Sequence, residues 1–284
     1  MNKADEYLIK NLTEIMENGV YDEDPRGRYK SDGAPAHSKF ITQVFEEYDL
    51  SEGEFPIPTL TATAKKSGVS EVLWIYQDQS SSIKRLEERG VYWWKDWDIG
   101  DGTIGQRYGA TVKKYNLMFS LLNQLEKNPF SRRHLMSLWQ EADFLETDGL
   151  VPCAYQTSWS VRPSPEDREK LFLDMHLHQR SNDYLMAGAI NKVQYVALQM
   201  MVAGHLRFRG MDIEVGKFTH FVQNLHVYNR HEEYAKKVLD LVPINTKPKM
   251  RLKEDKIFTD YNREDIIFSG DEFYNLERNL DIAI

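Results

Sequence analysis

The feature that most constrains the fold is the segment 190–203, which is apolar on nearly every side of a helical wheel. A helix of this kind is stable only inside a large core, because it has no polar face to expose to solvent. Asn191 and Gln194 are its polar exceptions. The segment therefore predicts a long buried helix. Since the chain shows no internal repeat, low-complexity segment or linker, we expect residues 1–284 to form one large domain.

Strand patterns occur on both sides of this helix. Segments 39–50 and 217–228 are strand-like runs. Segment 150–183 carries two runs rich in β-branched and aromatic residues around a polar turn, which predicts a β-hairpin. Apolar residues at helical spacing predict a helix over 4–18, and the acidic segment 143–149 is expected to be a loop. The predicted fold class is α+β, with a mixed β-sheet packed on the buried helix.

Composition limits the cell compartment and the partners. The chain has one cysteine, so an internal disulfide is excluded and a reducing cytoplasm fits. No stretch approaches the roughly 18 apolar residues that span a bilayer, and the N-terminus lacks the apolar core of a signal peptide. The net charge of −8 argues against nucleic acid, because phosphate backbones need a basic face. We expect a cytoplasmic protein with no membrane or nucleic-acid partner.

The single cysteine, Cys153, lies in the first arm of the predicted hairpin, and Arg180 lies in the second. A guanidinium beside a thiol lowers its pKa and makes it a better nucleophile. The alternative is that a lone cysteine is a small buried apolar residue. A thiol hydrolase using Cys153, His226 and Asn224 is also conceivable, but the local signatures of such enzymes are missing.

Other candidate groups are an acid and a set of isolated arginines. Glu71 stands in the apolar run 69–76, where a buried carboxylate must be hydrogen-bonded or protonated. It is either a proton relay or an acid at a helix N-terminus. The arginines could build one anion pocket or be solvated surface charges; they are Arg26, Arg132, Arg133 and Arg180.

The sequence offers little for a metal or a nucleotide-binding loop. His176 and His178 alternate on a strand and share a face, but no matching ligand pair follows, so no metal is expected. Neither a phosphate-binding GxxxxGK[ST] loop nor a dinucleotide fingerprint is present. The aromatic cluster at 92–97 is either core or a partly open rim where an indole could stack on a flat cofactor.

Several motifs, taken in order along nearly the whole chain, resemble the thymidylate synthase family, in the branch whose nucleophile lies in a TPC-V-Y-E-T-x-W segment. The corresponding segment here is VPCAYQTSW. Each motif is weak alone, but their order and spacing together are specific. The other matching segments are RGRYKSDGAPAHS, EFPIPTLTA, SEVLWIY, GVYWWKDW, DGTIGQRYG, NPFSRRH, QRSND, INKVQY and LHVYNRH.

The resemblance implies an activity and a substrate, dUMP. The enzyme would transfer a one-carbon unit from 5,10-methylenetetrahydrofolate to C5 of dUMP with reduction, giving dTMP and dihydrofolate. Cys153 would be the nucleophile that adds to C6 of uracil, Arg180 would lie beside the thiolate, and Glu71 would relay protons through water. The implied phosphate ligands are Arg26, Arg132, Arg133, Arg180 and Ser181.

The remaining implied roles concern the base, the sugar and the folate. Asn191 would pair with the O4 and N3 edge of uracil, and His226 with Tyr228 would hold the ribose 3′-hydroxyl. The implied folate-side residues are Trp94, Trp97, Asp183 and the C-terminal Ile284, with Tyr108 near the leaving-group region. Because Arg132 and Arg133 would reach the neighbouring subunit's phosphate, the resemblance implies a homodimer joined through a sheet face.

Departures from the family pattern cluster near the cofactor and C5. Thr61 and Ala62 stand where the family has two lysines, and Lys95 stands where it has an acid. Gln140 and the pair Gln223-Asn224 replace an asparagine and a Gly-Asp pair. These changes leave two alternatives open. One is a dUMP or dCMP hydroxymethylase, in which water captures the methylene. The other is a catalytically weak relative that binds nucleotide or RNA.

Overall fold

The computed structural model describes residues 1–284 and contains a six-stranded sheet in the order β1-β2-β6-β5-β4-β3. Neighbouring strands are antiparallel except β5 and β6, which are parallel. The predicted hairpin is confirmed as β4 and β5. The strands are β1 (Val20–Tyr21), β2 (Ser38–Asp49), β3 (Leu135–Ser137), β4 (Ala154–Pro163), β5 (Leu171–Asp183) and β6 (Ile213–Tyr228). A separate antiparallel pair is formed by β7 (Lys249–Leu252) and β8 (Ile266–Ser269).

Eight α-helices surround the large sheet, and they include the predicted helix at the N-terminus. They are α1 (Lys3–Asn18), α2 (Lys65–Tyr76), α3 (Ile83–Glu88), α4 (Gly109–Lys114), α5 (Leu117–Lys127), α6 (Glu141–Glu146), α7 (Ala189–Phe208) and α8 (Glu232–Leu239). None of them combines the length and apolar character that crossing a bilayer requires. The fold class is α+β, as predicted.

Helix α7 is the buried helix predicted from its apolar sequence, and it lies in a core cluster of 44 buried residues. One of its buried polar residues is hydrogen-bonded to the sheet. Gln199, which is fully buried, donates to the carbonyl oxygens of Leu173 and Lys217 at 2.8 and 3.1 Å. These two bonds offset part of the cost of burying the amide, whose oxygen has no partner.

The parallel pair β5 and β6 determines where a site can form. A short π-helical turn, Tyr184–Gly188, leads from β5 directly into α7, which crosses back to β6. Asp183 and His226 are therefore partners in register at the ends of the two strands. Because parallel strands end at the same edge, this edge brings together β5, β6 and the N-terminus of α7.

One local prediction was wrong, and one of the two alternatives for Glu71 is excluded. The acidic segment 143–149 is partly helical, because α6 begins at Glu141 and carries Glu141 and Asp143 in its first turn, where the helix dipole favours acids. Glu71 lies in the middle of α2 rather than at its N-terminus, so the dipole does not account for it.

Candidate active site

The edge of the sheet opens into a cavity of about 410 Å³, lined by segments from throughout the chain. All but two of the predicted site residues line it: Arg26, Glu71, Trp94, Trp97, Cys153, Arg180, Ser181, Asp183, Asn191, His226, Tyr228 and Ile284. The two exceptions, Arg132 and Arg133, are exposed and precede β3 outside the cavity. A single chain therefore assembles the predicted set without the arginine pair.

Cys153 lies immediately before β4 and is held by its backbone. Its N–H donates to the hydroxyl of Tyr108 at 3.1 Å, and its carbonyl accepts from the N–H of Arg180 at 2.9 Å. Tyr108 has a φ of 48°, which is costly for a bulky residue. Backbone strain of this type concentrates at functional sites, where the surrounding structure enforces it.

The Arg180 side chain faces the same cysteine from β5. Its Nε donates to Pro152 O at 3.0 Å and its NH2 donates to Val151 O at 2.7 Å. These two carbonyls fix the plane of the guanidinium beside the thiol. The hairpin thus brings Cys153 and Arg180 together, as the sequence predicts.

The predicted lowering of the Cys153 pKa is wrong. Burial of the sulphur raises the pKa of the thiol, and the nearby charges of Arg180 and Arg26 offset only part of that effect. The residue as a whole is only partly buried and lines the cavity, but burial is the largest influence on its thiol. A charged thiolate loses more by leaving water than these guanidinium groups return.

Glu71 is 7% exposed and has no cationic partner. Burial raises its pKa to about 7, and the N–H groups of Trp94, Trp93 and Gln194 offset part of the rise. The indole of Trp93 donates to Oε2 at 2.7 Å. A carboxyl that titrates near neutral pH can both hold and release a proton there.

One side of the cavity comes from β6, from the loop that carries Arg26 and from the C-terminal segment. His226 contacts Tyr228 edge to face at 5.0 Å, and burial lowers the pKa of His226, which keeps its imidazole neutral. The C-terminal segment pairs with the loop that carries Arg26. In this pairing Arg28 and Ile284 exchange two backbone hydrogen bonds of 2.9 Å.

Three further lining residues, Gln179, Gln194 and Trp93, were missed by the sequence reasoning as site residues. Gln194 could have been identified from the sequence, because it is a polar exception on an otherwise apolar helix. Gln179 stands within the QRSND motif beside Arg180. Nothing in the sequence distinguishes Trp93 from its aromatic neighbours as the donor to Glu71.

The departures from the family pattern lie outside the cavity. Thr61 and Ala62 line a separate pocket of about 20 Å³. The later lysines are engaged elsewhere, since Lys65 pairs with Asp271 at 2.5 Å and Lys66 with Glu264 at 3.6 Å. Lys95 pairs with Glu87 at 2.9 Å, on a segment whose tryptophans do line the cavity. No group of three or more His, Cys, Asp or Glu side chains is placed to hold a metal ion.

Comparisons with known proteins point to one family. The family model described as thymidylate synthase matches residues 6–282. The thymidylate synthase of Streptococcus sanguinis (strain SK36) is 50% identical over 269 residues, 93% of each chain. That of Lactococcus lactis subsp. lactis (strain IL1403) is 46% identical over 287 residues, 100% of each chain. The solved structure of the thermostable thymidylate synthase A from Bacillus subtilis has a TM-score of 0.86 and 31% identity, covering 99% of each chain.

Proposed function

Because this chain belongs to the thymidylate synthase family of methyltransferases, we propose that it methylates dUMP to dTMP, with 5,10-methylenetetrahydrofolate becoming dihydrofolate. The observation that carries the proposal is the joint presence of Cys153, Arg180, Asn191 and Glu71 in one cavity. A thiol, a fixed cation, an amide and a titratable carboxyl are the groups that covalent chemistry on a uracil ring needs.

Three side chains suit the nucleotide phosphate. Arg26 and Arg180 line the cavity together with Ser181, and guanidinium groups match phosphate oxygens in charge and geometry. His226 and Tyr228 occupy the adjoining wall and would hold the ribose hydroxyl. Asn191 lies at the start of α7 and would pair with the base.

The thiol of Cys153 would add to C6 of uracil. The bond from sulphur to C6 forms, the C5–C6 π electrons move toward O4 to give an enolate, and the thiol proton passes through water to the Glu71 carboxylate. Because burial raises the Cys153 pKa, the thiol holds its proton at neutral pH until that step. Covalent addition makes C5 nucleophilic and so divides a difficult reaction into easier ones. Glu71, with a pKa of about 7, would hold or release a proton during the later steps.

The folate supplies both the carbon and the hydride, which side chains cannot provide. The residues present fit a flat heterocycle. Trp94 and Trp97 line one wall, where their indole rings could stack on it. Asp183 and Ile284 border the same space and would complete the folate side.

The test is mass analysis of the products formed from dUMP or dCMP with methylenetetrahydrofolate. We expect dTMP and dihydrofolate from dUMP, and a mass adduct of the nucleotide on Cys153. The variant Cys153→Ala should lose at least about 10³-fold in kcat, as removal of a nucleophile does. A hydroxymethyl nucleotide formed without dihydrofolate would favour the hydroxymethylase alternative instead. Full activity in Cys153→Ala would reject covalent catalysis.

We also propose that the active unit is a homodimer in which Arg132 and Arg133 reach the partner's phosphate site. The sheet face opposite α7 supports this, since it exposes Phe45 next to His176 at a ring distance of 6.1 Å, and Leu135 lies at its edge. Exposed apolar patches of this kind suit a protein partner, and a second copy would bring the exposed arginines to a site.

Mixing two inactive variants tests the dimer. The double variant Arg132→Ala/Arg133→Ala lacks the arginines, and Cys153→Ala lacks the nucleophile. In a random mixture half the dimers are mixed and carry one complete site of two, so activity should recover to about a quarter of the unmodified enzyme. No recovery after subunit exchange would show that the arginines do not act across an interface.

A further inference from the structure

A series of hydrogen-bonded side chains in the cavity wall runs from His220 through Gln179 and Asn191 to Gln194. His220 and Gln179 are joined at 2.9 Å, Gln179 donates to Asn191 Oδ1 at 3.0 Å, and Asn191 Nδ2 donates to Gln194 Oε1 at 2.9 Å. His220, Gln179 and Gln194 are each 2% exposed. Buried amides in such a chain hold one another in a single orientation.

At Gln179, a backbone carbonyl sets the donor-to-acceptor direction of this series of hydrogen bonds. Gln179 Nε2 also donates to Ser181 O at 3.0 Å, and a carbonyl oxygen can only accept. This bond fixes which end of the Gln179 amide carries the hydrogens. The atom of Asn191 that faces Gln179 must then be the oxygen, and Asn182 Nδ2 adds a longer bond to the same oxygen at 3.4 Å.

At the other end of the series, Glu71 sets the orientation of the Gln194 amide. With Gln194 Oε1 turned to Asn191, the Nε2 of Gln194 is buried without a full hydrogen bond and lies among the N–H groups that act on the Glu71 carboxyl. When Glu71 is ionised, the reverse orientation would turn the Gln194 oxygen toward a carboxylate, which is repulsive. Both ends therefore specify the same orientation of Asn191.

An asparagine amide alone does not distinguish uracil from cytosine, because it can rotate by 180° and exchange its donor with its acceptor. Uracil presents an N3–H donor and an O4 acceptor, whereas cytosine presents an N3 acceptor and an N4 donor. Rotation of Asn191 here would put its Nδ2 against the Nε2 of Gln179 and its Oδ1 against the Oε1 of Gln194. Both buried bonds would be lost at once.

We infer that Gln179 and Gln194 are positioning residues that lock the Asn191 amide in the uracil-accepting orientation and so exclude cytosine nucleotides. His220 supports the lock from behind, because its Nε2–H donates to Gln179 Oε1. The inference deepens the proposed function and rests on it. In the locked state the remaining N–H of Asn191 meets O4, and its oxygen meets the N3–H.

The test compares equilibrium binding of dUMP and dCMP to the full-length protein by calorimetry, before and after Gln194→Met. Methionine keeps the length of glutamine but neither donates nor accepts strongly. We expect the ratio of dCMP to dUMP dissociation constants to fall about tenfold, equivalent to about 1.4 kcal/mol. Gln179→Met removes the lock from the other side and should lower the same ratio if Gln194→Met fails to fold.

The matched control is Gln199→Met, which makes the same change on the same helix. Gln199 is buried and bonds only the sheet, so this variant should lose stability and keep the ratio. A ratio unchanged in Gln194→Met and Gln179→Met, in an enzyme that prefers dUMP, would overturn the inference and leave the proposed function intact. If the unmodified protein binds neither nucleotide, the proposed function and the inference both fail.

Discussion

Two buried glutamates, Glu46 on β2 and Glu71 on α2, show how the same side chain can be structural in one region and chemical in another. Glu46 is 2% exposed and Glu71 is 7% exposed, so burial does not distinguish them. Their partners do. Glu46 contacts the Lys192 ammonium at 2.5 Å, whereas the N–H groups at Glu71 carry no formal charge.

The consequence appears in the two pKa values. Burial alone would raise the pKa of Glu46, but the charge of Lys192 holds it below the usual value. Asn11 and the hydroxyls of Tyr48 and Tyr184 donate to the same carboxylate at 2.9, 2.7 and 3.1 Å. Glu46 therefore stays ionised and links α1, β2 and α7.

Glu71 has the opposite balance. Without a cation, burial prevails and its pKa rises to about 7. The comparison teaches that a complete set of partners makes a buried charge permanent, while an incomplete set leaves it able to exchange a proton near neutral pH. Only the second kind is useful for acid–base chemistry, and it is the one that lines the cavity.

The largest expected effect comes from breaking the paired glutamate. Lys192→Met would leave Glu46 buried and unpaired, which should lower the free energy of unfolding by about 3–5 kcal/mol. Urea unfolding measures the loss. Adding Glu46→Gln removes the orphaned charge and keeps an acceptor for Asn11, so the double variant should recover most of it. A loss below about 1 kcal/mol in Lys192→Met would mean that the Glu46–Lys192 pair does little to stabilise the fold.

The next effect concerns catalysis by the unpaired glutamate. Glu71→Gln keeps the shape and the acceptor for Trp93 but cannot exchange a proton. We expect kcat for dTMP formation to fall about 10²–10⁴-fold, the usual contribution of general acid–base catalysis. The paired glutamate supplies the control, because Glu46→Gln should change stability much more than kcat. Equal kinetic losses in the two variants would erase the distinction between them.

The same substitution should have a smaller and pH-dependent effect on stability. The folded pKa of Glu71 is about 7 and the ordinary value is 4.5. Between these values the unfolded chain releases a proton that the folded chain keeps, so the unmodified protein loses stability as the pH rises. Glu71→Gln avoids this loss and should be more stable at pH 8, by up to about 3 kcal/mol. Unfolding at pH 4 and pH 8 checks this, since the gain should vanish at the lower pH.

The smallest expected effect concerns the hydrogen bond from Trp93, which helps to set the pKa of Glu71. Trp93→Phe removes the 2.7 Å donor to the carboxylate, which should raise the pKa of Glu71 further. The corresponding midpoint in the pH dependence of kcat/KM should move upward by about one unit or less. Trp97→Phe, which lines the cavity without bonding Glu71, should leave that midpoint in place. A shift in both variants would point to general loosening of the cavity.

Much of the fold and site could be predicted from sequence because local patterns carry them. The apolar wheel of 190–203 required a buried helix, and strand periodicity with a polar turn predicted the hairpin that brings Cys153 to Arg180. The ordered motifs of the family then indicated thirteen of the 28 residues that line the cavity.

Only the tertiary structure decided the charge states and the orientations. The direction of the Cys153 pKa shift was predicted wrongly, because desolvation depends on how many distant segments surround the sulphur. The Glu46–Lys192 pair joins residues 146 positions apart, and the lock on Asn191 needs β5, β6 and α7 in place together. Sequence determined which chemical groups are available; burial and long-range neighbours decided which of them are charged and which way their hydrogens face.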